Sequence, residues 1–187
     1  MNILLGITGT NGAGKGTVAD YLSSHGFVSY SVREFLIEEI TRRGMPINRD
    51  SMIEVANDLR KQHGPSYILD TLYDRAVAAG HDAIIESVRT VGEVESLRKR
   101  GMYLLAVDAD PHIRYDRVKL RKSVTDDVSF EKFMEDELRE SEGVDPGKQN
   151  LRHTVALADF TLNNDGTLED LYAQTEEVLR KIRSYQR

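Results

Sequence analysis

Two hydrophobic periods alternate along this chain. Five short runs are almost continuously apolar: Ile3-Leu4-Leu5-Gly6-Ile7, Phe27-Val28-Ser29-Tyr30, Ala83-Ile84-Ile85, Tyr103-Leu104-Leu105-Ala106-Val107 and Phe160-Thr161-Leu162. Runs of this length without polar alternation read as strands buried on both faces. Between them the apolar residues fall three and four apart, as on one face of a helix. The sets are Val18 to Leu22; Phe35, Leu36 and Ile40; Ile53, Ala56 and Leu59; Ile68, Leu69, Leu72, Tyr73 and Ala76; Val94 and Leu97. Further along come Phe130, Phe133, Met134 and Leu138, a helical piece from about Leu151 to Ala158, and Leu171, Val178 and Ile182. Strands alternate with helices and no hairpin signal intervenes, which predicts an α/β fold: a five-stranded parallel sheet with helices on both faces.

Helix boundaries are written in the polar residues. Ser31 with Glu34 has capping-box spacing, Asp50 or Ser51 can cap the next helix, and Gly64-Pro65 stops it. Asp110-Pro111 starts a helix with a capping residue and then proline, and Thr167 with Asp170 caps the last one. The basic run Arg98-Lys99-Arg100 before Gly101 complements the helix dipole at its carboxyl end.

Chemistry enters where the first strand meets the first helix. Gly9 to Thr17 reads Gly-Thr-Asn-Gly-Ala-Gly-Lys-Gly-Thr. Strand, glycine-rich loop, helix is the context of a phosphate-binding loop, in which backbone amides and the helix dipole cradle an anion. Gly9, Asn11, Gly12, Ala13, Gly14, Lys15, Gly16 and Thr17 are the candidate nucleotide-binding residues, and Lys15 is expected on the β- and γ-phosphates. The usual hydroxyl directly after the lysine is replaced by Gly16, so Thr17 becomes the candidate Mg²⁺ ligand from this loop.

Composition narrows the classes. A chain of 187 residues, 40% apolar and 30% charged, is long enough for one substantial core. There is no cysteine, hence no disulfide and no thiolate chemistry, which fits a cytoplasmic protein. The chain enters a strand at once, leaving no room for a signal peptide, and no apolar run approaches a membrane span. A net charge of −6 argues against a general nucleic-acid binder. Positive charge that matters is therefore expected to be local.

In a parallel sheet, ligands lie beyond the carboxyl ends of the strands. Glu86 ends the third strand and is a candidate for water-mediated Mg²⁺ binding, the alternative being a carboxylate that caps the next turn. Arg89 points to the same crevice. Arg114, Arg117 and Arg121, three and four apart, share one helix face, where arginines can stabilise charge spread over a transferred phosphoryl group. The bland alternative is a solvated face paired with Asp116, Asp126 and Asp127. Arg33, Arg60 and Lys61 could reach an acceptor phosphate, and His63 reads as a helix-end histidine. A phosphate acceptor is already anionic and needs no base, whereas a hydroxyl acceptor needs one, with Glu34 or Asp20 as candidates.

Gly14-Lys15-Gly16-Thr17, Glu86-Ser87-Val88-Arg89 with Glu93, the Arg114–Arg121 helix and Val155 to Asp170 together resemble small P-loop kinases of the nucleoside monophosphate kinase group, adenylate kinase-related and dephospho-CoA kinase-like. The resemblance runs nearly full length. It implies a three-layer P-loop NTPase fold with strand order 2-3-1-4-5, and a single domain over 1–187. It also implies a helical acceptor-binding insert at about 31–80 and a lid at about 112–150. Arg89 would grip the acceptor, Arg117 and Arg121 would act in catalysis and Arg114 on the nucleotide, and Asn164 and Gly166 would lie against the donor base. Where these kinases carry an arginine after the second strand this chain has Ile37, and Arg33 is the candidate replacement. The implied activity is phosphoryl transfer from ATP–Mg²⁺ to a small phosphorylated acceptor, a nucleoside or deoxynucleoside monophosphate, by a monomer or homodimer. The alternatives are a dephospho-CoA kinase-like hydroxyl kinase and a nucleotide-binding regulatory protein with slow ATPase activity. A GTPase would need an Asn-Lys-x-Asp motif, and none is present.

Overall fold

The computed structural model of the 187-residue chain describes residues 2–120, 128–141 and 150–185. The five apolar runs become β1 (Leu4–Gly9), β2 (Val28–Ser31), β3 (Ala83–Glu86), β4 (Tyr103–Asp108) and β5 (Phe160–Asn163). They form one sheet in the order β2-β3-β1-β4-β5, and every pairing is parallel. Leu5 of β1 stands level with Ile84 of β3 and Tyr103 of β4, so the strand ends that carry polar residues line up on one edge.

Helices connect the strands: α1 (Lys15–Ser24), α2 (Val32–Arg42), α3 (Arg49–His63), α4 (Tyr67–Ala79), α5 (Val91–Lys99), α6 (Pro111–Leu120), α7 (Phe130–Ser141), α8 (Leu151–Ala156) and α9 (Leu168–Tyr185). Because side chains alternate along a strand, the central strands β3, β1 and β4 feed two cores, while β2 and β5 each feed one. On one face Leu5, Ile7, Ile84 and Val107 pack with Val18 and Leu22 of α1 and Leu171 and Ile182 of α9. On the other, Ile85 and Leu104 pack with Leu36 and Ile40 of α2, Leu59 of α3, Leu72 of α4 and Leu97 of α5. The alternation sets Glu86 on the Ile84 face, which is the face of α1.

Local capping follows the polar signals with one shift. The Ser31 side chain accepts from the Glu34 amide at 3.3 Å, and Thr167 and Asp170 cap each other's amides at 3.1 and 3.2 Å. For α3 the cap is Asn48, accepting from the Ser51 amide at 2.9 Å, rather than Asp50 or Ser51, because the helix begins at Arg49. Its inner face is Val55, Ala56 and Leu59, and Ile53, about 200° round from Val55, is 48% exposed. In α7, Phe133 is buried while Leu138, about 140° away, is exposed. The Arg98–Arg100 run does more than complement a dipole. Arg98 donates to the Leu157 carbonyl at 2.7 Å, and Arg100 binds Asp70 at 3.1 Å and covers the Tyr73 ring at 4.5 Å.

One charged cluster ties α2 to α3. Glu39 accepts from Arg42 and Arg43, each Nε at 2.7 Å, and Arg43 Nη1 reaches Asp58 of α3 at 2.7 Å. The hydrogen bonds from Arg42 and then Arg43 hold the Glu39 carboxyl down at about 2, against burial, which raises it. A depressed folded value means that this stabilisation is full above the ordinary value of 4.5 and is lost as pH falls toward 2. Glu39→Gln should therefore lower stability at neutral pH, and the gap between parent and variant should close as pH falls through that window. Urea unfolding across a pH series checks it; a gap independent of pH would remove Glu39 from the acid response.

Candidate functional site

Thr10 to Gly14 make the whole connection from β1 to α1. Gly14 caps α1 in the left-handed conformation, φ 103°, and no side chain caps that helix end. A helix N-terminus left open in this way attracts an anion. Gly12 is also left-handed, φ 81°. A Cβ on Gly12 would run into the backbone carbonyl of Arg114, and one on Gly14 into the side-chain amide of Asn164. Both glycines thus serve the turn and its close packing on neighbouring elements.

The loop's carbonyl oxygens are held by donors from several directions. Lys15 Nζ donates to the Gly9 and Thr10 carbonyls, both at 2.8 Å. Asn164 Nδ2 donates to the Ala13 carbonyl at 2.7 Å, and Arg114 Nη1 to the Asn11 carbonyl at 3.3 Å. Thr10 Oγ1 donates to Asp108 Oδ1 at 2.7 Å, joining the loop to the end of β4. Arg114 and Asn164, expected on the nucleotide, both donate to the backbone of the loop. Arg114 is 3% exposed and Asn164 4% exposed, and both bind the loop backbone from behind. The Asn164 amide continues the sheet by donating to the Asp108 carbonyl at 2.8 Å, which swings its side chain under the loop. Arg114 sits on the buried face of α6, donates to the Ala109 carbonyl at 2.8 Å and pairs with both oxygens of Glu137 on α7.

Arg117 stands apart. Its Nη2 donates to the Asn164 carbonyl at 2.9 Å, while Nη1 is buried with no partner among the described residues. It therefore bridges α6 to the loop after β5, where Asp165 accepts the Asp110 amide at 2.6 Å and Gly166 is exposed. That amide, and then the Asn163 side chain, hold the Asp165 carboxyl below its usual range. Arg121 lies outside the described residues, so the expected three-arginine face comprises Arg114 and Arg117 here, with Arg114 turned inward.

At the end of β3, Glu86 accepts a hydrogen bond from Ser29 of β2. It shares the α1 face of the sheet with Thr17, whose hydroxyl has no partner among the described residues. A half-buried carboxylate and an uncommitted hydroxyl flanking the loop are a donor set that fits a hard, oxygen-seeking cation such as Mg²⁺. No group of three or more His, Cys, Asp or Glu residues able to hold a metal occurs among the described residues. Ser87, next in sequence, is the one described non-glycine residue with positive φ, 67°, so the chain turns sharply there toward Arg89.

Around α2, α3 and the turn after β3 the arginines separate. Arg33 is exposed on the first turn of α2, with no polar partner among the described residues. Arg89 is half-buried, its amide donating to Glu93 Oε2 at 2.8 Å. Arg60, expected at an acceptor phosphate, is 8% exposed and committed by Nη2 to Glu93 Oε1 at 3.0 Å, leaving its buried Nε without a partner among the described residues. The reason lies in Glu93. Its carboxylate also accepts the Thr90 amide at 3.1 Å in a capping box, is 1% exposed, and needs a cation at that depth. His63 ends α3, stacked on Tyr67 at 4.3 Å.

Several residues of this site carry no assigned role in the sequence reading: Thr10, Asp108, Ser29, Glu93 and Glu137. The Thr90-x-x-Glu93 spacing is a readable capping box, and Asp108 stands at a strand end. Glu137 meets Arg114 across 23 positions, which no local pattern encodes.

Glycines in this loop should differ sharply in what they tolerate. A Cβ on Gly16 meets nothing within 4 Å, and Gly16 lies in the first turn of α1. Gly16→Ala should raise stability by about 0.4–1 kcal/mol through the unfolded chain, and Gly12→Ala should lower it by more than about 1 kcal/mol. Urea unfolding of the two variants checks this; equal effects would mean that the loop's conformation does not depend on Gly12.

A family model described as an AAA domain matches residues 5–145. A UPF0200 protein of Methanocaldococcus jannaschii is 30% identical over 189 aligned residues, covering 96% of this chain and 90% of that protein. Among solved structures, dephospho-CoA kinase from Campylobacter jejuni is similar over 100% of both chains, with a TM-score of 0.59 and 13% identity. Shikimate kinase from Acinetobacter baumannii, solved with shikimate, covers 99% of this chain and 95% of its own, with a TM-score of 0.60 and 13% identity. Those two show a shared fold, that of the small P-loop kinases, in agreement with the sheet order β2-β3-β1-β4-β5. No described helix is long and apolar enough to cross a membrane. With the phosphate loop, the strand order and the matched span in agreement, the chain belongs to the P-loop AAA-domain family and to the UPF0200 proteins.

Proposed function

We propose that this chain is an ATP-dependent phosphotransferase of the cytoplasm. Its acceptor is a small phosphorylated molecule, a nucleoside or deoxynucleoside monophosphate. The observation that carries this reading is the loop itself: an uncapped helix N-terminus, carbonyls held by Lys15, Asn164 and Arg114, and a lysine at its mouth. In this reading residues 9–17 hold the triphosphate, and the Lys15 ammonium leaves the Gly9 and Thr10 carbonyls for the phosphate oxygens, a stronger acceptor. Thr17 and Glu86 hold Mg²⁺, which when bound would neutralise charge on the phosphates. Arg117 and Arg121 attend the transferred group, Asn164 and Gly166 border the donor base, and α6 and α7 belong to a lid over about 112–150. The acceptor lies against α2 to α4, roughly 31–80, between Arg89 and Arg33.

The burial of Arg60 against Glu93 favours a second reading. It withdraws one of the expected acceptor cations, and with it part of the argument for a phosphate acceptor. The neighbours named shikimate kinase and dephospho-CoA kinase support an acceptor hydroxyl, for which Glu34, exposed on the first turn of α2, is the available base, or Asp20 on α1. A third reading, a nucleotide-binding regulatory protein with slow ATPase activity, has no observation in its favour beyond the loop.

An ATP-consumption screen over nucleoside monophosphates, deoxynucleotides and dephospho-CoA separates the three. Acceptor-stimulated turnover by a monophosphate is the expected result, and Lys15→Ala should abolish it. Stimulation by dephospho-CoA alone selects the hydroxyl reading, and acceptor-independent slow hydrolysis the regulatory one.

Arg117 gives a finer test. Its guanidinium has an unpartnered buried nitrogen and a planar fork that lysine lacks. Arg117→Lys should lower turnover at saturating ATP by roughly tenfold or more, with ATP affinity by calorimetry nearly unchanged. Parent-like turnover would return Arg117 to a purely structural bridge between α6 and Asn164.

A further inference from the structure

Arg114 and Glu137 join the phosphate loop to a helix that is remote from it in sequence. The guanidinium makes four kinds of contact: to the Asn11 carbonyl, to the Ala109 carbonyl, to both oxygens of Glu137, and over the Phe133 ring at 5.7 Å. Asp108 is 3.8 Å away, and Arg114 itself is 3% exposed. A cation at that depth needs a carboxylate, and Glu137, with its side chain 18% exposed, is the one that pairs with it bidentately.

The contact with Asn11 has a directional consequence. No described peptide is cis, so the Asn11 carbonyl and the Gly12 amide point in opposite directions. With the carbonyl drawn toward Arg114, the Gly12 N–H is turned away from α6. Asn164 does the same at the next turn but one, where its hold on the Ala13 carbonyl turns the Gly14 N–H away from itself. Asn164 is carried by the sheet. Arg114 depends on Glu137, and so on where α7 lies.

We propose that Glu137 is a positioning residue for the phosphate loop, acting through Arg114 on the Asn11–Gly12 peptide. The position of α7 therefore sets whether the loop presents its amides to an anion. An α7 seated against α6 completes the Glu137–Arg114–Asn11 relay. An α7 displaced from α6 leaves Arg114 without its paired carboxylate and lets that peptide rotate. The consequence for nucleotide affinity rests on the phosphotransferase reading, whereas the consequence for the loop does not.

The test is amide hydrogen exchange of the full-length protein without nucleotide, together with calorimetric affinity for MgATP. Glu137→Gln keeps shape but loses the charge that organises Arg114. Exchange of the loop segment, residues 9–17, should rise roughly tenfold, as expected for weakening one charge-assisted contact. MgATP affinity should fall by a similar factor. Lys132→Ala is the comparison: Lys132 pairs with Glu135 at 3.1 Å and Asp136 at 3.0 Å on its own helix, so its loss removes a charge from α7 while leaving the α6–α7 packing and the partners of Arg114 in place. That variant should leave loop exchange near the parent. Should Glu137→Gln not fold, Glu137→Asp keeps the counter-charge at shorter reach and should show a smaller rise at the same segment. Parent-like loop exchange in the folded glutamate variants overturns the proposal, and so does an equal rise in Lys132→Ala. A parent protein that binds no MgATP defeats the phosphotransferase reading alone, since loop exchange still decides this one.

Discussion

A tight loop of glycines turns its amides toward one side when donors elsewhere in the chain hold its carbonyls toward the other. That constraint organises the carboxyl edge of this sheet. Lys15 takes the carbonyls of Gly9 and Thr10, Asn164 that of Ala13, and Arg114 that of Asn11, while Thr10 is fixed through its hydroxyl to Asp108. The donors come from the loop itself, from the end of β5 and from α6. Each is in reach because β1, β4 and β5 are successive neighbours in the sheet. The strand order is thus a condition of the site.

The same edge separates two kinds of buried charge. Arg114 with Glu137 and Arg60 with Glu93 are both ion pairs at depth, and both spend their hydrogen bonds on backbone that leads to the crevice: the Asn11 carbonyl in one case, the Arg89 and Thr90 amides in the other. Pairs of this kind contribute little net stability, because desolvation offsets much of their attraction. Their effect is geometric. One braces the loop between β1 and α1 and the other ties α3 to the turn that carries Arg89. Between them, Glu86, Thr17, Arg33 and the open nitrogen of Arg117 keep polar capacity that the fold itself does not use.

Much of this protein was legible in its residues. Five short, mostly apolar runs separated by helical periods determined a parallel α/β sheet, since the central runs, buried on both faces, need helices on each side, while the edge strands β2 and β5 stay partly exposed. Gly9 to Thr17 between a strand and a helix determined where an anion would go, because that geometry is local. Ser31, Asp110 and Thr167 marked their helix starts for the same reason. The cap of α3 moved to Asn48 and, separately, the inner face moved from Ile53 to Val55, because packing against α2 and α4 decides the phase of the stripe.

The direction in which each arginine points belonged to the tertiary structure. Spacings of three and four put Arg114 and Arg117 on one helix face, but a face about 100° wide includes both a buried edge and an open one. Arg114 fell on the buried edge because Glu137, 23 positions away, stands there to pair with it, and Arg117 fell beside the Asn164 carbonyl. Arg60 was drawn under by Glu93, itself buried by its own capping box. The sequence by itself determined which elements form and where phosphate chemistry could occur, because propensity, periodicity and turn geometry act between near neighbours. Only the tertiary structure decided which charges face the crevice and which brace it, because a buried charge goes where its partner is, and that partner comes from elsewhere in the chain.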